Sequence, residues 1–164
     1  MKLLFLDIDG VLNGLVTRER WNGLTGLDRR LVSMFLDWLS GKDVSVVLSS
    51  TWRLYDDTKE HLAAAGLSWI AETPKLRAIR GHEIAAYLSG TSGLEAYAIL
   101  DDCCDMHPAQ LPFLVQTSHV HGLRKRNFAK LNRILGCRSA AHPVGANADG
   151  LNKEASALTP SASW

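Results

Sequence analysis

The stretch KLLFLDIDGVLN at residues 2–13 runs from five apolar or near-apolar positions straight into two carboxylates, Asp7 and Asp9, one residue apart. A continuous hydrophobic run reads as a buried parallel strand, and open α/β sheets bind ligands just beyond the carboxyl ends of their strands. Side chains two apart on an extended segment point to one side, so Asp7 and Asp9 face the same crevice while Ile8 turns into the core. Gly10 lets the chain turn away tightly. A carboxylate pair at a strand's end points to phosphoryl chemistry.

Two further apolar runs end in matching polar residues. Residues 44–48 end in Ser49, Ser50 and Thr51, and residues 96–100 end in Asp101 and Asp102, with Asp105 one helical turn beyond. If these strands are parallel neighbours, their termini share one edge of one sheet, where hydroxyls meet Asp7, Asp9, Asp101, Asp102 and Asp105. Two carboxylates about 4 Å apart repel by roughly 4 kcal/mol at an effective dielectric near 20, so such a cluster calls for a cation. Oxygen ligands with room for water and phosphate favour Mg²⁺.

The coarse order is strand, flap, helix, strand, helix, short strand, helix, strand, loop, strand, helix, tail, an alternating α/β pattern. Residues 27–39 carry a helical stripe through Leu31, Phe35 and Trp38, with Asp28 as its cap. Asp56 or Asp57 opens the next helix, which runs to Ala65 and stops at Gly66. Residues 67–70 are expected as the third strand, 111–116 as the fifth, and 127–135 as the last helix. The domain is expected to end near residue 136, with 137–164 a flexible Ala- and Ser-rich tail.

Composition fits one domain. The chain has 164 residues, 46% of them hydrophobic, and a formal net charge of +1, so nothing global calls for a membrane or a polyanion. The N-terminal run is too short for a signal peptide and is broken by Asp7 and Asp9. Cys103, Cys104 and Cys137 are odd in number and lack zinc-type spacing, which suits reduced thiols in the cytoplasm. Packing in a tight loop is the simplest role for the adjacent pair Cys103 and Cys104.

Over roughly residues 1–135 the chain resembles a haloacid dehalogenase (HAD) superfamily hydrolase. DIDGV at residues 7–11 fills the first motif of that superfamily at every position. The resemblance implies a Rossmann-like parallel sheet of about five strands with helices on both faces. It also implies a Mg²⁺-dependent phosphomonoester hydrolase working through an aspartyl phosphate. Asp7 would be the nucleophile and Asp9 the general acid and base. Members that cleave carbon–halogen bonds lack a carboxylate at the second position. The second motif falls on Ser49, with Ser50 close behind, as the hydroxyl that holds a phosphoryl oxygen. For the third motif, Lys75 in the loop after Pro74 and Arg80 at the start of GHEIAAYL both qualify. DDCCDM at residues 101–106 satisfies both forms of the acidic fourth motif.

Neither place where this superfamily inserts a cap is long enough here for a large one: residues 13–26 make a short flap, and 51–74 are used by one helix and one strand. An open crevice admits bulky phosphorylated substrates, such as a nucleotide or nucleic-acid end. SSTWR at residues 49–53 sets Trp52 to stack and Arg53 to clamp a second phosphate beyond the phosphate-binding hydroxyl. Trp21 in the flap either stacks on a ring or packs on its own domain. Arg124, Lys125, Arg126, Lys130, Arg133 and Arg138 form either a solvated helix face or a track for a phosphate backbone. His119 and His121 share a face without a third ligand nearby, which favours a loop role over a metal site. With SSTWR and with RGHEI before ILDD, the capless pattern is similar to small phosphatase domains of nucleic-acid repair. The rival readings are a phosphate- and Mg²⁺-binding module that contacts a protein or nucleic acid, and a phosphotransferase.

Overall fold

The computed structural model describes residues 1–137, so the expected tail and Arg138 lie outside the described residues. In chain order the elements are strand β1 (Lys2–Leu6), strands β2 (Arg20–Trp21) and β3 (Leu24–Thr25), helix α1 (Arg29–Leu39) and strand β4 (Ser45–Leu48). Helix α2 (Asp56–Ala64), strand β5 (Ala71–Glu72), helix α3 (Arg80–Ser89), strand β6 (Ala96–Asp101), strand β7 (Leu114–Gln116) and helix α4 (Lys125–Leu135) follow. Five strands form one parallel sheet in the order β5-β4-β1-β6-β7, with β1 at its centre.

Strand alternation divides the core in two. Leu4 and Leu6 of β1, Val46 and Leu48 of β4, and Leu100 of β6 point to one face, where Leu31, Phe35 and Trp38 of α1, Leu62 of α2 and Leu131 and Leu135 of α4 cover them. Leu3, Phe5, Val47 and Ile99 point to the other, covered by Ile84 of α3 with Tyr87 and Leu88 alongside. Helices therefore lie on both faces, and β1 is buried on both, as its unbroken apolar run requires.

Register aligns the polar strand ends. Leu6 of β1 pairs with Leu48 and with Leu100. One residue further, Ser49 N–H donates to Leu6 O at 2.9 Å, Asp7 N–H to Leu100 O at 3.0 Å and Thr117 N–H to Asp101 O at 2.9 Å. The ladder thus continues one residue past the strands through Ser49, Asp7 and Thr117 and holds their backbone as the strands are held.

Several details depart from the sequence reading, among them the last helix, which begins at Lys125 rather than 127. The third strand is Ala71–Glu72 rather than 67–70: Leu67 is drawn into the core directly after the positive-φ Gly66. The fifth strand begins only at Leu114, because residues 108–113 form a 3-10 helix with Pro108 at its start and Gln110 buried against α3. No helix follows β6 directly, so Asp105 sits in a loop and not one helical turn from Asp101. The short flap expected at residues 13–26 contains the β2–β3 hairpin, closed by Asn22 and Gly23 with φ of 49° and 77°. Asn-Gly favours this two-residue turn, which suits the twist of the paired strands.

Candidate active site

The site lies at the carboxyl edge of β4, β1 and β6. Asp7, directly after β1, is 6% exposed, while Asp9 stands at the surface. Gly10, with φ of +67°, comes so close to Asp102 that a Cβ there would stand 2.2 Å from the Asp102 carboxylate. The first loop and the β6 loop therefore meet.

Arg80, the first residue of α3, is the cation of the cluster. Its Nη1 is 3.2 Å from Asp7 Oδ1, 3.3 Å from Asp101 Oδ2 and 3.4 Å from Ser49 Oγ. Lys75, the other candidate, is exposed on the loop before α3. Desolvation opposes charge on Arg80, but Asp7 and Asp101 outweigh it and raise the guanidinium above its ordinary value. Ser49 and Ser50 are fully buried; the Ser50 hydroxyl accepts from Trp52 N–H and reaches Asp7.

The two carboxylates of DIDG are held differently. Burial raises the Asp7 carboxyl above its ordinary value, with Arg80 and the Ser50 hydroxyl pulling the other way. Asp9 Oδ2 accepts from Trp52 Nε1 at 2.9 Å, and Oδ1 from Asn13 Nδ2 at 2.9 Å. Asn13 also accepts the Gly10 N–H at 3.0 Å, which ties the loop to itself. One carboxylate is thus buried beside a cation, and its neighbour is oriented at the crevice rim.

Asp101, 1% exposed at the end of β6, is the strained member. Burial and then the Asp7 charge push its carboxyl up to about 7, against Arg80 and the Cys103 N–H. Its Oδ1 accepts that N–H at 2.9 Å. Its Oδ2 lies at ion-pair distance from Arg80 but accepts no hydrogen bond in a fully buried position. An orphaned carboxylate oxygen is costly unless something binds it. Ligand atoms of Asp101, Asp102 and Cys103 lie within 4.8 Å of one another. Desolvation, then Asp102 and Asp101, push the Cys103 thiol up to about 11, so the carboxylate oxygens are the ready donors of the group. Such a donor set fits a hard divalent cation such as Mg²⁺.

Several expected site residues sit elsewhere. Arg53 is 4% exposed, and all its donors are used inside the protein: Nε on Thr73 O, Nη1 on Ser49 O and Ser50 O, Nη2 on Pro74 O and on Glu83 Oε2 at 2.6 Å. It staples the serine turn to α3 and has no donor left for a second phosphate. Trp52 is 8% exposed and orients Asp9 rather than offering an open stacking face. Asp105 turns to the start of α3, where its Oδ2 accepts Arg80 N–H at 3.4 Å, and stands apart from the Asp101 cluster. Cys103 and Cys104 are exposed and not packed into their loop.

Asn13, Glu83 and Thr117 are not singled out by the sequence, and His119, weighed with His121 as a metal pair, reads as a loop residue. Thr117 Oγ1 donates to Gly10 O at 2.6 Å, and His119 Nδ1 lies 2.8 Å from Asp102 Oδ2. Asn13 closes the DIDGVLN stretch and was in plain view; Thr117 and His119 follow the last strand and carry no motif. His121 does not join His119, since its contacts run by backbone N–H to Ser118. Arg124, Lys125, Arg126, Lys130 and Arg133 are exposed on or beside α4, and the first three open it after β7, toward the site's end of the sheet. Among the described residues no helix is long and apolar enough to cross a membrane.

Comparison with known proteins agrees with this geometry at the level of the family. No curated protein and no solved structure matches the chain. Residues 3–128, which hold every element from β1 to the first turn of α4, match the family described as the HAD domain in Swiss Army Knife RNA repair proteins. The chain belongs to that family of HAD domains.

Proposed function

We propose that this HAD domain is a Mg²⁺-dependent phosphomonoesterase that works in the cytoplasm on nucleotides or polynucleotide ends. The observation that carries the reading is Arg80 Nη1 set between Asp7, Asp101 and the Ser49 hydroxyl. A phosphoryl group beside Asp7 would meet a guanidinium and two buried hydroxyls on one side and the acidic cluster on the other. Phosphoryl transfer spreads charge over equatorial oxygens, so positioned cations and donors supply most of the catalysis.

In the first step a carboxylate oxygen of Asp7 attacks phosphorus, a bond forms to give the acyl phosphate, and the ester P–O bond breaks. The leaving oxygen takes its proton from Asp9, whose orientation Trp52 and Asn13 fix. In the second step water attacks the same phosphorus and gives its proton to Asp9, and the acyl phosphate bond breaks to free Asp7 and inorganic phosphate. Ser49, Ser50 and Arg80 hold the transferred oxygens. Asp7, Asp101 and Asp102 would hold Mg²⁺, with Asp9 beside them; when bound, the ion supplies positive charge to the phosphoryl oxygens and offsets carboxylate repulsion. Three free thiols suit a reducing compartment.

The test is phosphate release from a panel of nucleotides, phosphorylated oligonucleotides and sugar phosphates, with Mg²⁺ and with chelator. Turnover is expected only with the metal. Asp7→Asn is expected to abolish it while circular dichroism stays native. More than a few per cent of residual turnover in that variant would remove Asp7 from the role of nucleophile. Acceptor alcohols added to the assay separate hydrolysis from phosphotransfer.

A further inference from the structure

We infer that the β2–β3 hairpin and the turn after β4 form a stacking subsite for the nucleobase of the leaving group. The inference rests on the phosphatase reading above and names what that site selects. A cavity of about 360 Å³ opens beside Asp9, lined by Trp21, Leu24, Thr25, Thr51, Trp52 and Tyr55. Its volume lies at the small end of ligand pockets, roughly 300–1,000 Å³, enough for one ring system with its sugar. A larger cleft of about 830 Å³ lies along α1 and α2 and includes none of Asp7, Asp9 and Asp101. Of these two cavities among the described residues, the smaller meets the chemistry, through Asp9.

Position decides the occupant. The Trp52 ring that lines the cavity carries the Nε1–H bonded to Asp9 Oδ2. Asp9 is the group that protonates the leaving oxygen, so whatever is bonded to that oxygen extends into the space beside the indole. That space contains no Lys or Arg, and its one charge is Asp9 itself. A leaving group bearing a second phosphate or a carboxylate would find no counter-charge there. The open Tyr55 ring and Leu24 at the mouth, with threonine hydroxyls on the wall and Trp21 and Trp52 as a packed floor, instead suit a flat, uncharged ring with polar edges, which a nucleobase provides.

The subsite is preformed. Trp21 stacks on His61 of α2 at 4.8 Å and 19° and on Trp52 at 6.1 Å and 27°, so the hairpin is clamped to the domain. Thr58 of α2 donates its hydroxyl to the carbonyls of Trp52 and Tyr55 and fixes the opposite wall. Leu24 and Tyr55, 66% and 62% exposed, stand at the mouth with open faces. A ring entering between them loses little freedom that the protein has not already given up.

The experiment compares kcat/KM for 3′- and 5′-mononucleotides, a phosphorylated oligonucleotide and β-glycerophosphate in the wild type, Tyr55→Ala, Tyr55→Phe and Leu24→Ala. The ratio of nucleotide to β-glycerophosphate is expected to fall about tenfold in Tyr55→Ala, as for loss of one base–aromatic stack, and to be kept in Tyr55→Phe. A ratio unchanged in both alanine variants overturns the subsite and leaves the phosphatase reading standing. If no ester turns over with Mg²⁺, binding of an unphosphorylated dinucleotide, followed by tryptophan fluorescence, decides instead. Binding lost in Tyr55→Ala then supports the subsite while the phosphatase reading falls, and no binding by the wild type overturns the subsite as well.

Discussion

At the scale of single residues, the two aspartates of DIDG are separated in role by what touches them. Asp7 is buried beside Arg80 and the serines, whereas Asp9 is a surface carboxylate whose two oxygens are each fixed by a side-chain N–H. A hydrogen bond to a charged group contributes about 1.5–3 kcal/mol, and one that orients a proton donor acts on the barrier. Trp52→Phe keeps an aromatic ring at this position but removes the Nε1–H, so kcat is expected to fall by about tenfold or more. Steady-state kinetics on a mononucleotide check this. A kcat equal to the wild type would mean that Asn13 alone orients Asp9. The Asp9 partner Trp52 was placed beside the site by the sequence, but its task was not legible there, because an indole N–H finds its acceptor across 43 positions and only the folded turn brings the two together.

At the scale of elements, α3 matters because Arg80 is its first residue and must be held against the serine turn. The buried Arg53–Glu83 pair does this, with Glu83 Oε1 also accepting Leu76 N–H at 3.1 Å. Removing one partner of a buried ion pair leaves an uncompensated charge and costs about 3–5 kcal/mol. Glu83→Gln is therefore expected to lower stability by about that amount in urea unfolding, and to weaken phosphate binding as α3 loosens. Replacing both by methionine does not rescue the fold here, since four carbonyls at Ser49, Ser50, Thr73 and Pro74 would lose their donor. Unfolding of the double variant at the wild-type urea midpoint would refute that account. The long, strongly patterned elements were legible: β1, β4 and β6 from their apolar runs, and α1 from its stripe and the Asp28 side chain that caps it. The two edge strands were expected but their bounds were not legible, because strands of two and three residues carry too little pattern to outweigh Gly66 and the two prolines of residues 108–113. Arg53 was misread for a related reason. A cation next to phosphate-binding hydroxyls looks the same in sequence whether it faces substrate or the carbonyls behind it.

For the whole molecule, the parallel sheet brings Asp7, Asp101 and Asp102 to one edge with Arg80 as their near cation, and the excess of negative charge is expected to make the domain's stability depend on pH and, under the proposed function, on metal. Asp101 is pushed up to about 7 in the folded protein, above the ordinary 3.8. Between those values the folded chain holds a proton that the unfolded chain has released, so without metal the contribution of Asp101 to stability is greatest below pH 4, falls as pH rises and levels off above about pH 7. Binding Mg²⁺ to that carboxylate requires it to be ionised, and at low pH the ion must first displace the proton. The rise in Tm on adding Mg²⁺ is therefore expected to be small near pH 5 and larger near pH 8. Asp101→Asn should reduce that pH dependence, leaving the part that the raised Asp7 carboxyl supplies, and raise the metal-free Tm at about pH 8, because a neutral amide ends the repulsion with Asp7. Differential scanning fluorimetry of both proteins, with and without Mg²⁺, measures all of this. An equal Mg²⁺ shift at the two pH values in the wild type would separate Asp101 from the cation and leave Arg80 as the sole positive charge at ion-pair distance from its buried oxygen among the described residues.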